Sequence, residues 1–322
     1  MVLSVLVEQY GGPEVLVLGE RPAMEPAADE LLVETRAAGV NFIETYQREG
    51  IYPVEHPFTP GSEGMGIVIS TGSAVTDFTI GDRITTTQAS RTYAHAFLVK
   101  ADEALRVPDG IPDEIAAALP GQGLTAHYLV HSTYPVQKGE TAVITAAAGG
   151  VGGLAVQLLK AQQATVIAVV GSATKAQVAR SLGADHVIVG YAGYAGQVQE
   201  ITRGQGADVV YDSVGKDSFD ESLKALRRRG MLVLFGASSG PVQPFDLQRL
   251  NKHGSLYVTR PTVDDYLHDI NERNWRAKVL FSAILNRTLD VRIAETFPLS
   301  DARRAHEALQ ARRANGKLLL IP

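Results

Sequence analysis

Glu140-Thr-Ala-Val-Ile-Thr-Ala-Ala-Ala-Gly-Gly-Val-Gly-Gly-Leu-Ala-Val-Gln-Leu-Leu-Lys160 runs from a short apolar segment, through a cluster of tiny residues, into a helix-period pattern. Ala147-x-Gly149-x-x-Gly152 is the dinucleotide-binding fingerprint with alanine in place of its first glycine. Small residues at this spacing permit a tight strand-to-helix turn, close approach of the backbone to a pyrophosphate, and close packing of helix on sheet. The helix that follows turns its free N–H groups and positive dipole end toward the phosphates. Val151, Leu154, Ala155, Leu158 and Leu159 give that helix an apolar face at i, i+4 spacing. Tight packing in an α/β sheet is the competing reading of the same glycines.

The next run, Thr165-Val-Ile-Ala-Val-Val170, has the uninterrupted apolar character of a parallel strand buried on both faces. An NAD-specific site carries an Asp or Glu about 20 residues beyond the glycines, on the ribose 2′-hydroxyl. Here the strand ends in Gly171-Ser172-Ala173-Thr174-Lys175, and no acid occurs before Asp185. Ser172 and Lys175 offer a hydroxyl and a cation to a 2′-phosphate, which predicts NADPH as cofactor. An ordinary solvated helix lysine is the alternative for Lys175.

With 322 residues the chain is long enough for two domains with their own cores. Hydrophobic residues make up 45%, charged residues 20%, and the net charge is −5. This balance, with a pI near 5.9, gives no reason to expect nucleic acid as a partner. No apolar run approaches the ~18 residues that span a bilayer, and the N-terminus lacks a signal-peptide pattern. The absence of cysteine excludes disulfides, thiolate catalysis and thiolate–zinc sites, and fits a cytoplasmic location. Arg227-Arg228-Arg229 before Gly230 reads as a helix end, favoured by the helix dipole.

Residues 1 to about 123 read as short β segments with turn punctuation, among them 31–36, 66–70 and 96–100. Strands and helices then alternate. Strands are expected at 142–145, 166–170, 185–189, 208–211, 231–235 and 255–258, and helices near 153–163, 174–182, 194–203, 217–228 and 246–252. Together they predict a Rossmann, doubly wound parallel sheet. Beyond Pro261 the pattern predicts a polar helical segment containing Trp275. A helix near 276–286, a strand near 291–296, a helix near 300–314 and a last strand at 317–321 follow. The expected domains are 124–261 for the nucleotide, inserted into a mainly β domain of 1–123 plus 262–322.

Five segments then match a known pattern in order: Ala37-Ala-Gly-Val-Asn-Phe-Ile-Glu-Thr-Tyr46, Pro60-Gly-Ser-Glu-Gly-Met-Gly66, Ala146-Ala-Ala-Gly-Gly-Val-Gly152, Tyr211-Asp-Ser-Val-Gly215 and Leu256-Tyr-Val-Thr-Arg-Pro261. The chain resembles the NADPH:quinone oxidoreductases, the zeta-crystallin-like, zinc-independent branch of the medium-chain dehydrogenase/reductase superfamily. The match runs from Gly11-Gly12-Pro13 to Gly316-Lys317. The resemblance implies an α/β fold in which the Rossmann sheet is inserted into a GroES-like catalytic domain. Zinc alcohol dehydrogenases carry a cysteine where this chain has Asn41, and Gly-His-Glu where it has Gly61-Ser62-Glu63, so the catalytic zinc cannot be built.

The resemblance also implies roles. Asn41, Phe42 and Tyr46 would line the cleft beside the nicotinamide, with Thr125 beneath the ring or its ribose and Tyr52 walling the substrate. Asn41, Tyr46, Tyr52 and Thr125 are thus the candidate catalytic residues. Gly149, Gly150, Val151 and Gly152 would meet the pyrophosphate, and Gly171, Ser172 and Lys175 the 2′-phosphate. Tyr191, Ser213, Phe235, Gly236, Ser238 and Lys317 complete the cofactor set. Tyr191 is followed by a second Gly-Tyr at 193–194, which leaves its register open, and Gln122 stands where relatives often have lysine. Capping is the alternative for Asn41, core packing for Tyr46 and loop packing for Tyr52. Glu63 reads as a buried, hydrogen-bonded carboxylate. His95, His127 and His131 lack a third metal ligand.

The implied reaction is hydride or electron transfer from NADPH to a quinone held in the interdomain cleft, with Asn41, Tyr46 or water stabilising the resulting anion. Reduction of the C=C bond of an enone or 2-alkenal is a second enzyme reading. A nucleotide- or RNA-binding role is a third, which would need a basic groove with exposed aromatics. The segment 255–259 is an edge through which relatives pair, so a homodimer is expected.

Overall fold

The computed structural model describes residues 1–311 and 316–322. The expected end of the last helix at 314 lies outside them. The first elements are β1 (Val2–Leu6), β2 (Val17–Arg21), β3 (Glu30–Val40), α1 (Phe42–Arg48), β4 (Gly64–Thr71), β5 (Arg83–Thr86), β6 (Ala96–Lys100) and β7 (Leu105–Arg106). Helices α2 (Asp113–Ala118) and α3 (Pro120–Tyr128) follow. Next come β8 (Thr141–Thr145), α4 (Gly150–Ala161), β9 (Thr165–Val170), α5 (Ala173–Ser181), β10 (His186–Val189) and α6 (Tyr194–Ile201). The alternation continues with β11 (Ala207–Asp212), α7 (Phe219–Ala225), β12 (Leu226–Leu234), α8 (Gln248–Lys252) and β13 (Tyr257–Thr259). The last elements are α9 (Val263–Leu267), α10 (Ile270–Leu285), β14 (Ile293–Pro298), α11 (Ala302–Gln310) and β15 (Lys317–Ile321).

Contacts divide the chain into two units. The first comprises Met1–Gly121, Ala277–Leu285 and Val291–Pro322; the second comprises Gln122–Arg276 and Asn286–Asp290.

The second unit is built on a six-stranded parallel sheet in the order β10-β9-β8-β11-β12-β13. Its strands are the apolar runs seen in the sequence. Val143, Ile167, Val169, Ile188, Val210 and Leu232 pack with Tyr194 and Val198 of α6 and with Phe219 and Leu223 of α7. Each such fully buried side chain contributes about 1.5–3 kcal/mol over an exposed one. Helix α4 buries Leu154, Ala155, Val156, Leu158 and Leu159, the apolar face anticipated from their spacing.

In the first unit a seven-stranded sheet runs β14-β15-β3-β4-β5-β7, with β6 also on β3. The long β3 is its hub. It pairs antiparallel with β4, β6 and β15, and the last of these sets Leu318 opposite Val40. Strands β1 and β2 form a separate antiparallel pair. Val5, Val7, Ala38, Val40, Tyr93, Phe297, Leu318 and Leu320 belong to one apolar cluster of this unit.

Four sequence expectations are corrected. Arg227-Arg228-Arg229 do not end a helix: α7 stops at Ala225 and all three lie within β12. Ala207 pairs with Leu226 but Val209 with Met231, so the arginines and Gly230 bulge from the ladder, with Arg229 at φ 58°. Arg227 bonds Asp208 at 2.5 Å, and the helix dipole plays no part. Helix α4 starts at Gly150 rather than 153, because the fingerprint glycines form its first turn. Strand β13 starts at Tyr257, since Ser255 has a left-handed φ of 60°. Helix already occupies 113–118 and 120–128, ahead of the expected change of texture, and a π-helical turn continues at Leu129–Thr133.

Candidate functional site

In the second unit the chain order of the sheet reverses at β8, whose neighbours are β9 on one side and β11 on the other. In open α/β sheets ligands gather outside the carboxyl ends of the strands at such a switch point. The fingerprint turn sits there. Ala146 takes φ 50°, a left-handed conformation that makes the reversal possible. Gly149 then caps α4 without any side-chain hydrogen bond, and no acid stands in the first turn. A side chain on Gly152 would strike the Ala146 carbonyl, and one on Gly150 the Gln122 side chain. Val151 and, on α3, Thr125 are half-buried. The helix start therefore offers backbone N–H groups and positive potential to an anion, with side chains held back.

Beyond β9, Gly171 and Ser172 are exposed and Lys175 half-exposed. Ser172 is the N-cap of α5, its Oγ accepting from Lys175 N–H at 3.4 Å. The Tyr191 ring stands over Gly171, 3.6 Å from where a Cβ would be. Tyr194 is fully buried and bonds Ser222 at 2.7 Å, so Tyr191 is the tyrosine of the pair that faces this edge. Asp185 lies at the opposite end of the strands, binding Lys160 and the Val166 N–H at 2.7–2.8 Å. It does not supply the acid missing after β9.

The loops after β11 and β12 are joined through Asp212, which is wholly buried. Its carboxylate accepts from Thr145 Oγ1 at 3.1 Å, Ser218 Oγ at 2.7 Å, Ser222 Oγ at 2.6 Å and the N–H groups of Val214 and Gly215. Its carbonyl accepts from Phe235 N–H at 2.8 Å, and Ser213 O accepts from Ser238 N–H at 3.0 Å. Ser213, Phe235, Gly236 and Ser238 are thereby set along one edge. A side chain on Gly236 would press on Ser213 O and Cα. Five donors on one carboxylate mark Asp212 as the organiser of this edge. Its strand-end position was visible in the sequence; its partners were not.

The first unit presents the other group of candidates. Asn41 caps α1, and Glu44, three residues on, completes a capping box by accepting Asn41 N–H at 2.7 Å. The Asn41 side chain donates from Nδ2 to Glu63 at 3.0 Å and accepts at Oδ1 from Lys317 at 2.7 Å. Lys317 also forms an ion pair with Glu63, and Glu63 accepts the Gly121 N–H at 2.7 Å. Lys317 and Glu63 are each 1% exposed. Glu44 is wholly buried; burial raises its carboxyl to about 7, against the lowering influence of Lys317 and of the Asn41 and Glu44 backbone, while Glu63 raises it further. Capping-box spacing made Glu44 readable from sequence, although it was not among the expected residues.

Phe42, Tyr46 and Tyr52 are all exposed, at 41%, 37% and 52%. Phe42 stacks on Tyr46 at 6.3 Å, and Tyr52 meets Tyr46 edge-on at 5.6 Å. Three joined, exposed aromatic rings form a surface suited to a flat apolar ligand.

His127 and His131 stack at 4.2 Å in the second unit, and Arg276 Nη1 lies 3.0 Å from His127 Nδ1. Burial lowers His127 to about 3, with His131 and Arg276 adding to the effect. Among the described residues no group of three His, Cys, Asp or Glu is placed to hold a metal.

Two family profiles cover most of the chain. Residues 27–138 match the alcohol dehydrogenase GroES-like domain, and residues 150–268 match the zinc-binding dehydrogenase domain. The donor set does not fit the zinc that the second description implies. The chain has no cysteine, and the Lys317 ammonium already occupies the oxygen atoms of Asn41 and Glu63. A quinone oxidoreductase of Salmonella typhimurium is 44% identical over 327 residues, covering all of both chains. A 2-haloacrylate reductase of a Burkholderia species is 38% identical, covering 100% of this chain and 99% of the relative. The crystal structure of an Escherichia coli quinone oxidoreductase complexed with NADPH superposes with a TM-score of 0.94 at 42% identity, covering 99% of this chain and 100% of that one. The chain therefore belongs to the quinone oxidoreductase family of the medium-chain dehydrogenase/reductase superfamily.

Proposed function

We propose that this protein is an NADPH-dependent quinone oxidoreductase that works without zinc. The observation that carries the cofactor is the bare N-terminus of α4 at the switch point, with Ser172 and Lys175 beyond β9 and Asp185 turned to the far edge. Gly149, Gly150, Val151 and Gly152 receive the pyrophosphate, Gly171, Ser172, Lys175 and Tyr191 the phosphorylated ribose, and Thr125, Ser213, Phe235, Gly236 and Ser238 the nicotinamide end. NADPH bound there supplies two electrons as hydride to the quinone, which takes one further proton from water to become a hydroquinone.

Phe42, Tyr46 and Tyr52 hold the flat acceptor, and Asn41 offers an N–H to the oxygen on which negative charge develops. The complex of the Escherichia coli relative with NADPH and the quinone oxidoreductase of Salmonella typhimurium support this reading. We also read the protein as a cytoplasmic homodimer. The edge strand β13, with Tyr257 58% exposed, is the surface for a second copy.

The test follows absorbance loss of NADPH, beside NADH, with benzoquinone, naphthoquinone and an enone. Quinone turnover with NADPH and weak turnover with NADH is the expected result. Tight NADPH binding without quinone turnover overturns the substrate. The haloacrylate-reducing relative supports a second reading, C=C reduction beside an electron-withdrawing carbonyl, and enone turnover exceeding quinone turnover would establish it.

A further inference from the structure

The Asn41 amide is held at both ends. An ammonium has three donors and no acceptor, so the atom of Asn41 that meets Lys317 Nζ at 2.7 Å must be the oxygen. The amino end then faces Glu63, to which one hydrogen is donated at 3.0 Å. The second Nδ2 hydrogen has no protein partner among the described residues, and Asn41 is only half-buried.

Glu63 is fixed in turn by Gly121 N–H, and a Cβ on Gly39 would overlap its carboxylate and the Lys317 side chain. A turned amide would set its amino group against the Lys317 ammonium and its oxygen against the Glu63 carboxylate, so both contacts hold the amide as it stands.

Resting on the proposed quinone reduction, we propose that Lys317 is a positioning residue that fixes the Asn41 amide so that a donor faces the carbonyl oxygen of the acceptor. Hydride arrival places negative charge on that oxygen. A donor aimed at it lowers the barrier, whereas an amide oxygen in the same place raises it. Removing Lys317 leaves the Glu63 carboxylate buried without its cation and takes away one of the two contacts that orient the amide, the one that holds its oxygen. In this role Lys317 acts through Asn41, the residue that its ammonium holds together with Glu63.

A cycle of Asn41→Ala, Lys317→Met and the double variant tests this with whichever carbonyl acceptor the wild type reduces. Each single variant is expected to lower kcat by about a hundredfold with the NADPH dissociation constant unchanged. The double variant should be no worse than either, because one interaction is removed twice. Lys317→Arg, which keeps donors only, should recover most of the rate.

A readout independent of turnover is the side-chain amide NMR signal of Asn41 in the cofactor-free protein. Its two hydrogens should be spread beyond the ordinary spacing of a free side-chain amide in the wild type and Lys317→Arg, and should return toward that spacing in Lys317→Gln. Multiplying losses in the double variant, or an unchanged Asn41 signal in Lys317→Gln, would overturn the proposal. If Lys317→Met does not fold, the Arg and Gln variants carry the same comparison. A wild type inactive with quinones and enones alike refutes the function on which this rests, and the amide signal still decides whether Lys317 orients Asn41.

Discussion

Gly152 lies against the carbonyl of Ala146, close enough that a Cβ would overlap the oxygen and come 3.0 Å from Ala147 Cα. The obstacle is backbone, which cannot rotate away. Gly152→Ala must therefore push the start of α4 off β8, at a cost of about 1–3 kcal/mol. The same shift misplaces the N–H groups proposed for the pyrophosphate. Thermal unfolding should show the destabilisation, and fluorescence titration should show NADPH affinity at least about tenfold weaker. Wild-type affinity in this variant would remove the pyrophosphate from this turn.

Ala146 itself is in a conformation that glycine tolerates better. A left-handed residue with a Cβ costs about 1–2 kcal/mol, part of which glycine gives back as extra freedom in the unfolded chain. Ala146→Gly should thus raise the melting temperature slightly, by about 0.5–1 kcal/mol in stability, without weakening NADPH. A fall in melting temperature would show that this φ of 50° is unstrained.

Coenzyme choice should reside in Ser172 and Lys175. Charged hydrogen bonds contribute about 1.5–3 kcal/mol each, so the Ser172→Ala, Lys175→Ala double variant should lose about a hundred- to ten-thousandfold in kcat/KM for NADPH. With NADH the value should hardly change, because no 2′-phosphate is present to miss them. Equal losses with both coenzymes would point to a structural role.

The legible part of this fold was the part governed by local pattern. Uninterrupted apolar runs marked the parallel strands, and the small-residue cluster marked the turn between β8 and α4. Arg227-Arg228-Arg229 deceived because basic residues before glycine suit a helix end, whereas here the ladder with β11 skips them. Helices α2 and α3 are rich in alanine and glycine and carry little periodic signal. The candidate site was legible as residue types but not as partnerships. Asn41 and Lys317 are 276 positions apart, and no local rule relates them. Asp212 could be placed at a strand end, but its five donors come from three separate segments.

Glu44 should give the protein a pH-dependent stability. Its carboxyl sits near 7 in the fold, raised chiefly by burial, against 4.5 when unfolded. The folded state then holds the proton more tightly, so its stabilising contribution is whole below 4.5 and is lost as pH rises toward 7. The full effect is about 3 kcal/mol. Glu44→Gln keeps an acceptor for Asn41 N–H and removes the titration, so denaturant melts should lose this slope. His306, lowered to about 3 by burial and then by Arg48, has the opposite sign: its contribution is whole above 6.5 and is lost as pH falls. An unchanged slope in Glu44→Gln would show that Glu44 does not titrate in this window.

The strand pairing of β15 with β3 has a consequence for how the molecule is made. A ribosome delivers β3 early, yet one of its neighbours arrives only with residues 317–321. The second unit has its whole sequence available by Asp290. The second unit therefore has all of its sequence before the first unit has its last strand. Until the last strand emerges, Glu63 has no lysine to meet it, and the half of the protein synthesised first is the last to be finished.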